Sequence, residues 1–323
     1  MGDHNLSSER ASLLADVAEL YYLEDKDQAE IARKIGVTRS MISRMLKEAR
    51  EKGIVEIRVH RSVHSEYDLE NALVEQFHLK GVLVISSPRV SAQPALEHLG
   101  NAGALALKRH LKPGITLGIS WGTSVSAVVD SLQAQDLPSV KIVQLVGALG
   151  ARNTEYDGHA LVARLAEKLN GESHYLNAPF LCPNPKTASI LLKTKGIQES
   201  VELGRNSDVA LLGVGSTSPK FSSYYLAGYV PLAELKKLSQ EGAVGDVCGV
   251  HFDIHGEHIC STFCKRLVTI HKDDLVSIPL RIGVAGGPGK AASILGALRA
   301  GFINFLVTDG DTAQAVLAEA AKK

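Results

Sequence analysis

The chain has 323 residues, of which 45% are hydrophobic and 22% charged, and its 35 basic residues balance its 35 acidic ones. This length predicts about two domains, and the composition is that of a globular protein with a large core. The polar N-terminus argues against a signal peptide, and no apolar run approaches the roughly twenty residues of a membrane span. We therefore expect a cytoplasmic protein with no membrane partner. Four cysteines in so long a chain do not indicate a disulfide scaffold, and we expect most of them to fill the core.

A pair of short helices is predicted over 28–47, after a first helix over 8–23. Ile31, Ala32 and Ile35 share one face of the first member of the pair. Ile42, Met45 and Leu46 share one face of the second helix of the pair. Gly36 permits the sharp turn between them, and Thr38 is a plausible N-cap for the following helix. This spacing is typical of a helix-turn-helix.

The exposed face of the second helix is polar and basic. Between residues 33 and 52 there are seven basic residues and two acidic ones, a local net charge of +5 in a neutral chain. Such local charge favours contact with DNA phosphates, and the second helix suits the major groove of a double-stranded operator. A generic helical hairpin with a solvated face is the alternative. The candidate DNA-binding residues are Thr38, Arg39, Ser40, Ser43, Arg44 and Lys47.

A short strand is predicted over 54–60, which would make the N-terminal domain a winged helix-turn-helix. The pattern breaks at 61–65. We therefore place a DNA-binding domain at 1–61 and a second domain at 62–323. Ser65 and Asp68 resemble a capping box at the start of the first helix of that second domain.

Apolar strands alternate with helices through the second domain, which predicts a doubly wound α/β fold with a parallel sheet covered on both faces. Residues 147–200 are predicted to form a long insertion, and residues 246–263 a β-hairpin with Gly256 near its turn. The predicted strands are 82–86, 115–120, 140–146, 209–214, 281–285 and 304–308. The predicted helices include 96–111, 124–132, 160–169 and 291–300.

Three predicted strand ends carry glycine and small polar residues, and ligands of open parallel sheets bind at such ends. The first is 118–124, where Gly122, Thr123 and Ser124 open a helix and form a phosphate site by geometry. The second contains Gly215. The third is 284–290, where Gly286 and Gly287 precede Lys290. Each loop alone can be ordinary turn chemistry, but together they predict a site for an anionic small molecule.

Other motifs near these loops are rejected. Ala291 follows Lys290 where a Walker A loop needs Ser or Thr. The glycines at 287 and 289 fit a dinucleotide fingerprint, but only one strand remains after them, so NAD is not expected. His251, His255, His258, Cys260 and Cys264 have spacings that match no compact zinc site. We therefore predict no metal, no cofactor and no catalytic residue.

Two carboxylates are candidates for orienting sugar hydroxyls, although each could equally be a cap or turn residue. They are Asp157, which precedes His159 at a predicted helix start, and Asp246, which precedes the predicted hairpin. Covalent capture of a sugar aldehyde as an imine needs a buried lysine. The strand near 146 offers Val146 instead, so we do not predict capture there.

With these motifs, the chain resembles the SorC family of bacterial sugar-responsive transcriptional regulators, and looks closest to the deoxyribonucleoside-regulator type. The resemblance spans about 12–317 and is carried by the ordered set of segments at 27–59, 118–124, 143–150, 209–216, 242–256, 282–298 and 307–313. It implies an effector domain similar to the sugar-phosphate isomerase and deaminase fold, without the catalytic role. It also implies a homo-oligomer, dimer or tetramer.

The resemblance further implies a ligand site for a phosphorylated sugar. Its phosphate would lie at the loops of Gly122, Thr123 and Ser124 and of Gly286, Gly287 and Lys290. Asp246 matches the acidic position that contacts the sugar, and Asp157 and His159 match positions facing the same pocket. Val146 departs from the relatives that carry a basic residue there and contact the ligand with it.

The sequence thus predicts a DNA-binding regulator of a sugar or nucleoside catabolic operon, controlled by a phosphorylated sugar, and not an enzyme. One alternative is a sugar-phosphate isomerase or deaminase with an appended DNA-binding domain, which turnover would reveal. The other is an α/β domain without a small ligand.

Overall fold

The computed structural model describes residues 3–55, 66–86, 95–150 and 154–322. The chain divides into two compact units, Met1–Ser62 and Val63–Lys323. Among the described helices, none has the length and apolar character needed to cross a bilayer.

In residues 3–55, the described part of the first unit, three helices pack around one apolar core. Their bounds are α1 Asp3–Tyr22, α2 Gln28–Ile35 and α3 Arg39–Glu51. Leu14 and Val17 of α1, Ile31 of α2, and Ile42 and Met45 of α3 meet in this core. Except for the partly buried Ile35, the apolar residues predicted to pack between α2 and α3 are buried.

The turn between α2 and α3 has the backbone that the sequence predicts. Gly36 has φ +78°, in the left-handed region that favours glycine, and its N–H donates to the carbonyl of Ala32. Thr38 Oγ1 accepts a hydrogen bond from the Met41 N–H at 3.3 Å, so Thr38 is the N-cap of α3. The predicted strand at 54–60 and the Ser65 end of the predicted capping box lie largely outside the described residues. In the part described, α4 begins at Tyr67.

The second unit is an α/β fold with two sheets. Its helices are α4 Tyr67–Phe77, α5 Ala95–Lys108, α6 Thr123–Ser131, α7 Gly158–Leu169, α8 Pro185–Leu192, α9 Lys195–Arg205, α10 Ser223–Leu226, α11 Leu232–Gln240, α12 Lys272–Ser277, α13 Ala291–Arg299 and α14 Gly310–Ala320. Its strands are β1 Gly81–Ile85, β2 Thr116–Ile119, β3 Lys141–Gln144, β4 Glu172–His174, β5 Val209–Gly213, β6 Gly215–Ser216, β7 Gly245–Val247, β8 Val250–Phe252, β9 Leu280–Val284 and β10 Phe305–Asp309.

Seven parallel strands form the larger sheet, in the order β1-β10-β9-β5-β2-β3-β4. Alternate residues of each strand enter different cores, because side chains of a strand point to opposite faces. Val209 and Leu211 of β5 pack with α5, α6 and α7, whereas Ala210 and Leu212 pack with α4, α13 and α14. Both faces of the sheet are therefore covered, as the runs of apolar residues predict.

One part of the sequence prediction is wrong. Residues 147–200 are not one insertion, because they contain α7, α8, the start of α9 and also β4, which pairs with β3 at the edge of the sheet.

The predicted hairpin with Gly256 near its turn is present. Phe252 and His258 form an antiparallel bridge, the Asp253 N–H donates to the Glu257 carbonyl, and Gly256 has φ +88°. A second antiparallel pair, β7 with β8, was not predicted, and it turns at Cys248 and Gly249.

The strand order reverses between β2 and β5. From β2 the chain continues outward through β3 and β4, then returns to place β5 on the other side of β2, followed by β9 and β10. Such a switch point leaves a crevice at the carboxyl ends of the two central strands, where open α/β sheets bind ligands.

Candidate functional site

A cavity of about 470 Å³, counting its open mouth, lies at the carboxyl ends of β2 and β5. It is lined by the ends of these strands, the start of α6, part of α10, the β7 strand and its turn, and the loop before α13. The lining residues are Ser120, Trp121, Gly122, Thr123, Ser124, Gly213, Val214, Gly215, Ser223, Tyr224, Asp246, Cys248 and Lys290.

One wall of the cavity is the N-terminus of α6. Gly122 has φ +122°, and no described side chain caps the helix here. The backbone N–H groups of the first turn of α6 therefore lie on the cavity side and have no side-chain acceptor. Such free N–H groups favour the binding of an anion. Thr123 and Ser124 add hydroxyl groups to the same wall.

Lys290 contributes the positive charge of the cavity. Its ammonium group donates a hydrogen bond to the carbonyl of Val214 at 3.1 Å, which ties the loop before α13 to the end of β5. Burial lowers the pKa of Lys290, while the nearby Asp246 carboxylate acts in the opposite direction. An anion would replace the solvation that the Lys290 ammonium group has lost, and would therefore bind to it favourably.

Asp246 contributes the negative charge and is 6% exposed. Its Oδ2 atom accepts hydrogen bonds from the Tyr224 hydroxyl at 2.5 Å and from the Gly249 N–H at 2.9 Å. Among the described residues, no group donates to Oδ1. This oxygen is thus free to accept a hydrogen bond from a ligand hydroxyl.

The approach of Asp246 to the end of β5 requires glycine at position 215. Gly215 pairs with Asp246 across β6 and β7, and a Cβ atom at 215 would lie 2.0 Å from Asp246 Oδ1. A side chain there would displace the carboxylate. The glycine predicted as a ligand contact therefore also sets the position of Asp246.

An aromatic cluster forms the side of the cavity near Asp246. The Trp121 ring lies 5.3 Å from the Tyr224 ring and 6.3 Å from that of Phe180, centroid to centroid. Burial and the Asp246 carboxylate raise the pKa of Tyr224 well above its ordinary value, so its hydroxyl stays protonated as a donor. Trp121 is also the only tryptophan in the sequence.

The structure brings six of the predicted ligand residues into the cavity lining: Gly122, Thr123, Ser124, Gly215, Asp246 and Lys290. The other four lie outside it. Gly286 and Gly287 belong to the loop that leads to Lys290, and the Gly287 N–H donates to Asp309 Oδ2 at 3.0 Å.

Asp157 and His159 are the remaining two. Asp157 caps α7, and its carboxylate accepts hydrogen bonds from the N–H groups of Leu149, Gly150 and His159. The His159 ring stacks on Tyr175 at 4.9 Å and lies 3.3 Å from the Asn177 side-chain oxygen. Their contribution to ligand binding stays a prediction.

Val146 is 1% exposed and belongs to the core, so it does not line the cavity.

Sequence analysis missed Tyr224, Ser223 and Cys248. Tyr224 lies in no recognisable motif, and its partner Asp246 is 22 residues further along the chain. Only the tertiary fold brings the two together.

Comparison with known proteins identifies the family. The family described as "Putative sugar-binding domain" matches residues 61–318. The sorbitol operon regulator of Klebsiella pneumoniae is 32% identical over 313 residues, which are 96% of this chain and 99% of that protein. The chain belongs to the SorC family of transcriptional regulators.

Two further comparisons agree with this assignment. The deoxyribonucleoside regulator of Bacillus subtilis is 30% identical over 312 residues, covering 97% of this chain and 99% of that protein. The crystal structure of the full-length sorbitol operon regulator SorC from Klebsiella pneumoniae matches with a TM-score of 0.71, covering 96% of this chain and 99% of that one. These relatives are named as an operon regulator and a deoxyribonucleoside regulator, which confirms the prediction of a regulator rather than an enzyme.

Replacing Tyr224 with phenylalanine tests the hydrogen bond that positions Asp246. We expect Tyr224→Phe to lower the free energy of unfolding by about 1.5–3 kcal/mol, because a buried carboxylate loses one of its donors. Urea denaturation measures the loss. Tyr225→Phe is the matched control, since the Tyr225 hydroxyl bonds to no described residue, and it should change stability by no more than about 0.5 kcal/mol. Equal effects of the two variants would contradict this role for Tyr224.

Proposed function

We propose that this chain is a DNA-binding transcriptional regulator of a sugar or nucleoside catabolic operon, and that a phosphorylated sugar in the cavity controls its affinity for the operator. The observation that carries the proposal is one cavity that holds the Lys290 ammonium, the uncapped N-terminus of α6 and the free Oδ1 of Asp246. A sugar phosphate has an anion and hydroxyl groups that match these three features.

The phosphate binds between α6 and Lys290 in this proposal. Backbone N–H groups at a helix N-terminus and a lysine are the usual partners of a phosphate, and here they line the same cavity. Gly286 and Gly287 add no side chains to the loop before Lys290. The phosphate also compensates the ammonium group for the solvation that it has lost.

The sugar binds between Asp246 and the aromatic cluster. Tyr224 and Gly249 fix Oδ2, so the remaining oxygen is held in one orientation toward a hydroxyl group. The apolar face of a sugar ring can pack on Trp121. Asp157 and His159, at the start of α7, complete the ligand site in this proposal, and Asp157 also holds the loop at 149–150 by accepting from its N–H groups.

The first unit supplies the DNA-binding surface as a helix-turn-helix. Arg39, Ser40, Ser43, Arg44 and Lys47 of α3 are exposed, whereas Ile42, Met45 and Leu46 are buried in the core. A helix that packs into the core with one face and is basic on the opposite face suits the major groove. The protein acts as a homo-oligomer, because two half-sites of an operator call for two copies of this helix.

The second unit follows the sugar-phosphate isomerase and deaminase fold in this proposal, used for binding rather than for turnover. The ligand shifts the equilibrium between two arrangements of the DNA-binding units. The size of this shift equals the difference between the ligand's binding free energies for the two arrangements. Transcriptional regulators among the relatives favour this over the enzyme alternative.

A ligand screen with a Lys290 variant tests the effector site. Trp121 fluorescence and thermal melts should respond to one phosphorylated sugar in a panel, since a ligand at 100 times its Kd adds about 2.7 kcal/mol of stability. Lys290→Gln should weaken that ligand roughly ten- to hundredfold, the equivalent of about 1.5–3 kcal/mol for a charge-assisted hydrogen bond. The binding of the free sugar should change little.

The control for this screen is Lys195→Gln, at a lysine whose side chain is 89% exposed and does not line the cavity. It should leave both affinities unchanged. The phosphate site is contradicted if no phosphorylated sugar binds, or if Lys290→Gln weakens the free sugar and its phosphate equally.

The DNA-binding surface is tested by Arg44→Ala. We expect weaker binding by about 1–3 kcal/mol, because an exposed arginine on the proposed recognition helix is lost. Fluorescence anisotropy with a duplex from the region upstream of the protein's own gene, at two salt concentrations, measures the change. Arg205→Ala, an exposed arginine on α9, is the control and should bind DNA normally. Unchanged affinity in Arg44→Ala would remove this residue from the interface.

A further inference from the structure

Asp309 connects the loop at 285–290, which carries Lys290, to the neighbouring strand of the large sheet. The loop follows β9, and Asp309 is the last residue of β10, which pairs with β9. Asp309 Oδ2 accepts a hydrogen bond from the Gly287 N–H at 3.0 Å. On the other side of β9, the Lys290 ammonium group donates to the Val214 carbonyl. The loop is therefore held to the strands on both sides of β9.

The two carboxylate oxygens of Asp309 have different partners. Oδ1 accepts from the Thr312 N–H at 2.9 Å and caps α14. Oδ2 accepts from the Thr312 hydroxyl at 2.7 Å and from the Gly287 N–H. An N-cap needs one side-chain oxygen, and Asn or Ser serves about as well as Asp. Capping therefore accounts for Oδ1 but not for the bond between Oδ2 and the loop.

The glycines of the loop fit around this carboxylate. A Cβ atom at position 286 would lie 2.7 Å from Asp309 Oδ2, so a side chain there would push the carboxylate away. Gly287 has φ +94°, in the left-handed region that favours glycine. Its N–H donates to Asp309, and its carbonyl accepts from the Lys290 N–H at 2.9 Å. The backbone on both sides of Gly287 is thus fixed, and it leads directly to Lys290.

We propose that Asp309 is a positioning residue of the phosphate site and acts through Gly287 on the placement of the Lys290 ammonium group. This inference rests on the proposed function, in which Lys290 binds the phosphate. Asp309 itself does not line the cavity. Its Oδ2 atom holds the loop in place before a phosphate arrives. Without that bond the ligand would have to order the loop, and this ordering would weaken binding.

Asp309→Asn separates the bond to the loop from the cap of α14. The amide oxygen can still cap the helix, but the amide nitrogen then faces the Gly287 N–H, and two donors cannot bond. Inorganic phosphate is the probe, added to the full-length protein in exchange for chloride at constant ionic strength and followed by Trp121 fluorescence. We expect Asp309→Asn to weaken phosphate roughly tenfold, the order expected for one lost hydrogen bond to a charged group.

Asp309→Ser is a second variant of the same kind. Its hydroxyl caps a helix well, but the side chain is one atom shorter and has no second oxygen for the Gly287 N–H. It should weaken phosphate by a similar factor, and it serves alone if Asp309→Asn fails to give a cooperative thermal melt.

Thr312→Val is the matched control, because it removes another donor to Oδ2 and leaves the Gly287 N–H in place. Thr312 is fully buried, so the variant should lower the melting temperature. Its affinity for phosphate should stay within about twofold of the wild type. Hydrogen exchange of the peptide that contains Gly287, measured without ligand, should be faster in both Asp309 variants and unchanged in Thr312→Val.

Lys290→Gln distinguishes a failure of this inference from a failure of the phosphate site. If Lys290→Gln weakens phosphate while the folded Asp309 variants bind it like the wild type, the role of Asp309 is overturned and the phosphate site stands. Equal weakening in Asp309→Asn and Thr312→Val would also overturn it, because the effect would follow general stability. A wild-type protein that does not respond to phosphate would overturn the phosphate site and this inference with it.

Discussion

The cavity depends on the parallel pairing of β5 with β2 on one side and with β9 on the other. This pairing brings three separate loops to one edge of the sheet, although they are distant in sequence. The hydrogen bond from Lys290 to the Val214 carbonyl then joins the loop after β9 to the end of β5. Because the strands are buried on both faces, their register cannot slip without exposing both cores.

The acidic side of the cavity depends on a second set of contacts. Asp246 comes from the small antiparallel sheet, and Gly215 lets that sheet approach the end of β5. Tyr224 and Gly249 then hold one carboxylate oxygen and leave the other free. The large sheet therefore positions the groups that we propose bind the anion, and the small sheet positions the acceptor that we propose binds hydroxyl groups. A ligand that has both an anion and hydroxyls can bridge the two.

The sequence predicted the central strands and the glycine loops because buried parallel strands are continuous apolar runs, and because glycine marks their ends. It failed at β4, since Glu172, Ser173 and His174 form a short polar edge strand without an apolar pattern. It predicted the turn near Gly256 but not the tight turn between β7 and β8. Cys248 adopts φ +53°, next to Gly249 at +77°, and a cysteine in a left-handed turn position has no sequence signal.

Six of ten predicted ligand residues line the cavity because a loop at the end of a buried strand has little freedom of placement. Tyr224 and Trp121 complete the site through contacts that only the tertiary fold creates.

The expectation that the cysteines mostly fill the core holds for Cys182 and Cys248 and not for Cys260, which is exposed.

The central claim is that the sugar site and DNA binding are linked, and reciprocal titrations test it most directly. DNA affinity is measured with and without a saturating phosphorylated sugar, and the affinity for that sugar is measured with and without DNA. Linkage requires the two affinities to change by the same factor, and couplings of this kind are typically about 5- to 150-fold. A sugar phosphate that fills the cavity while DNA affinity stays the same would contradict the account.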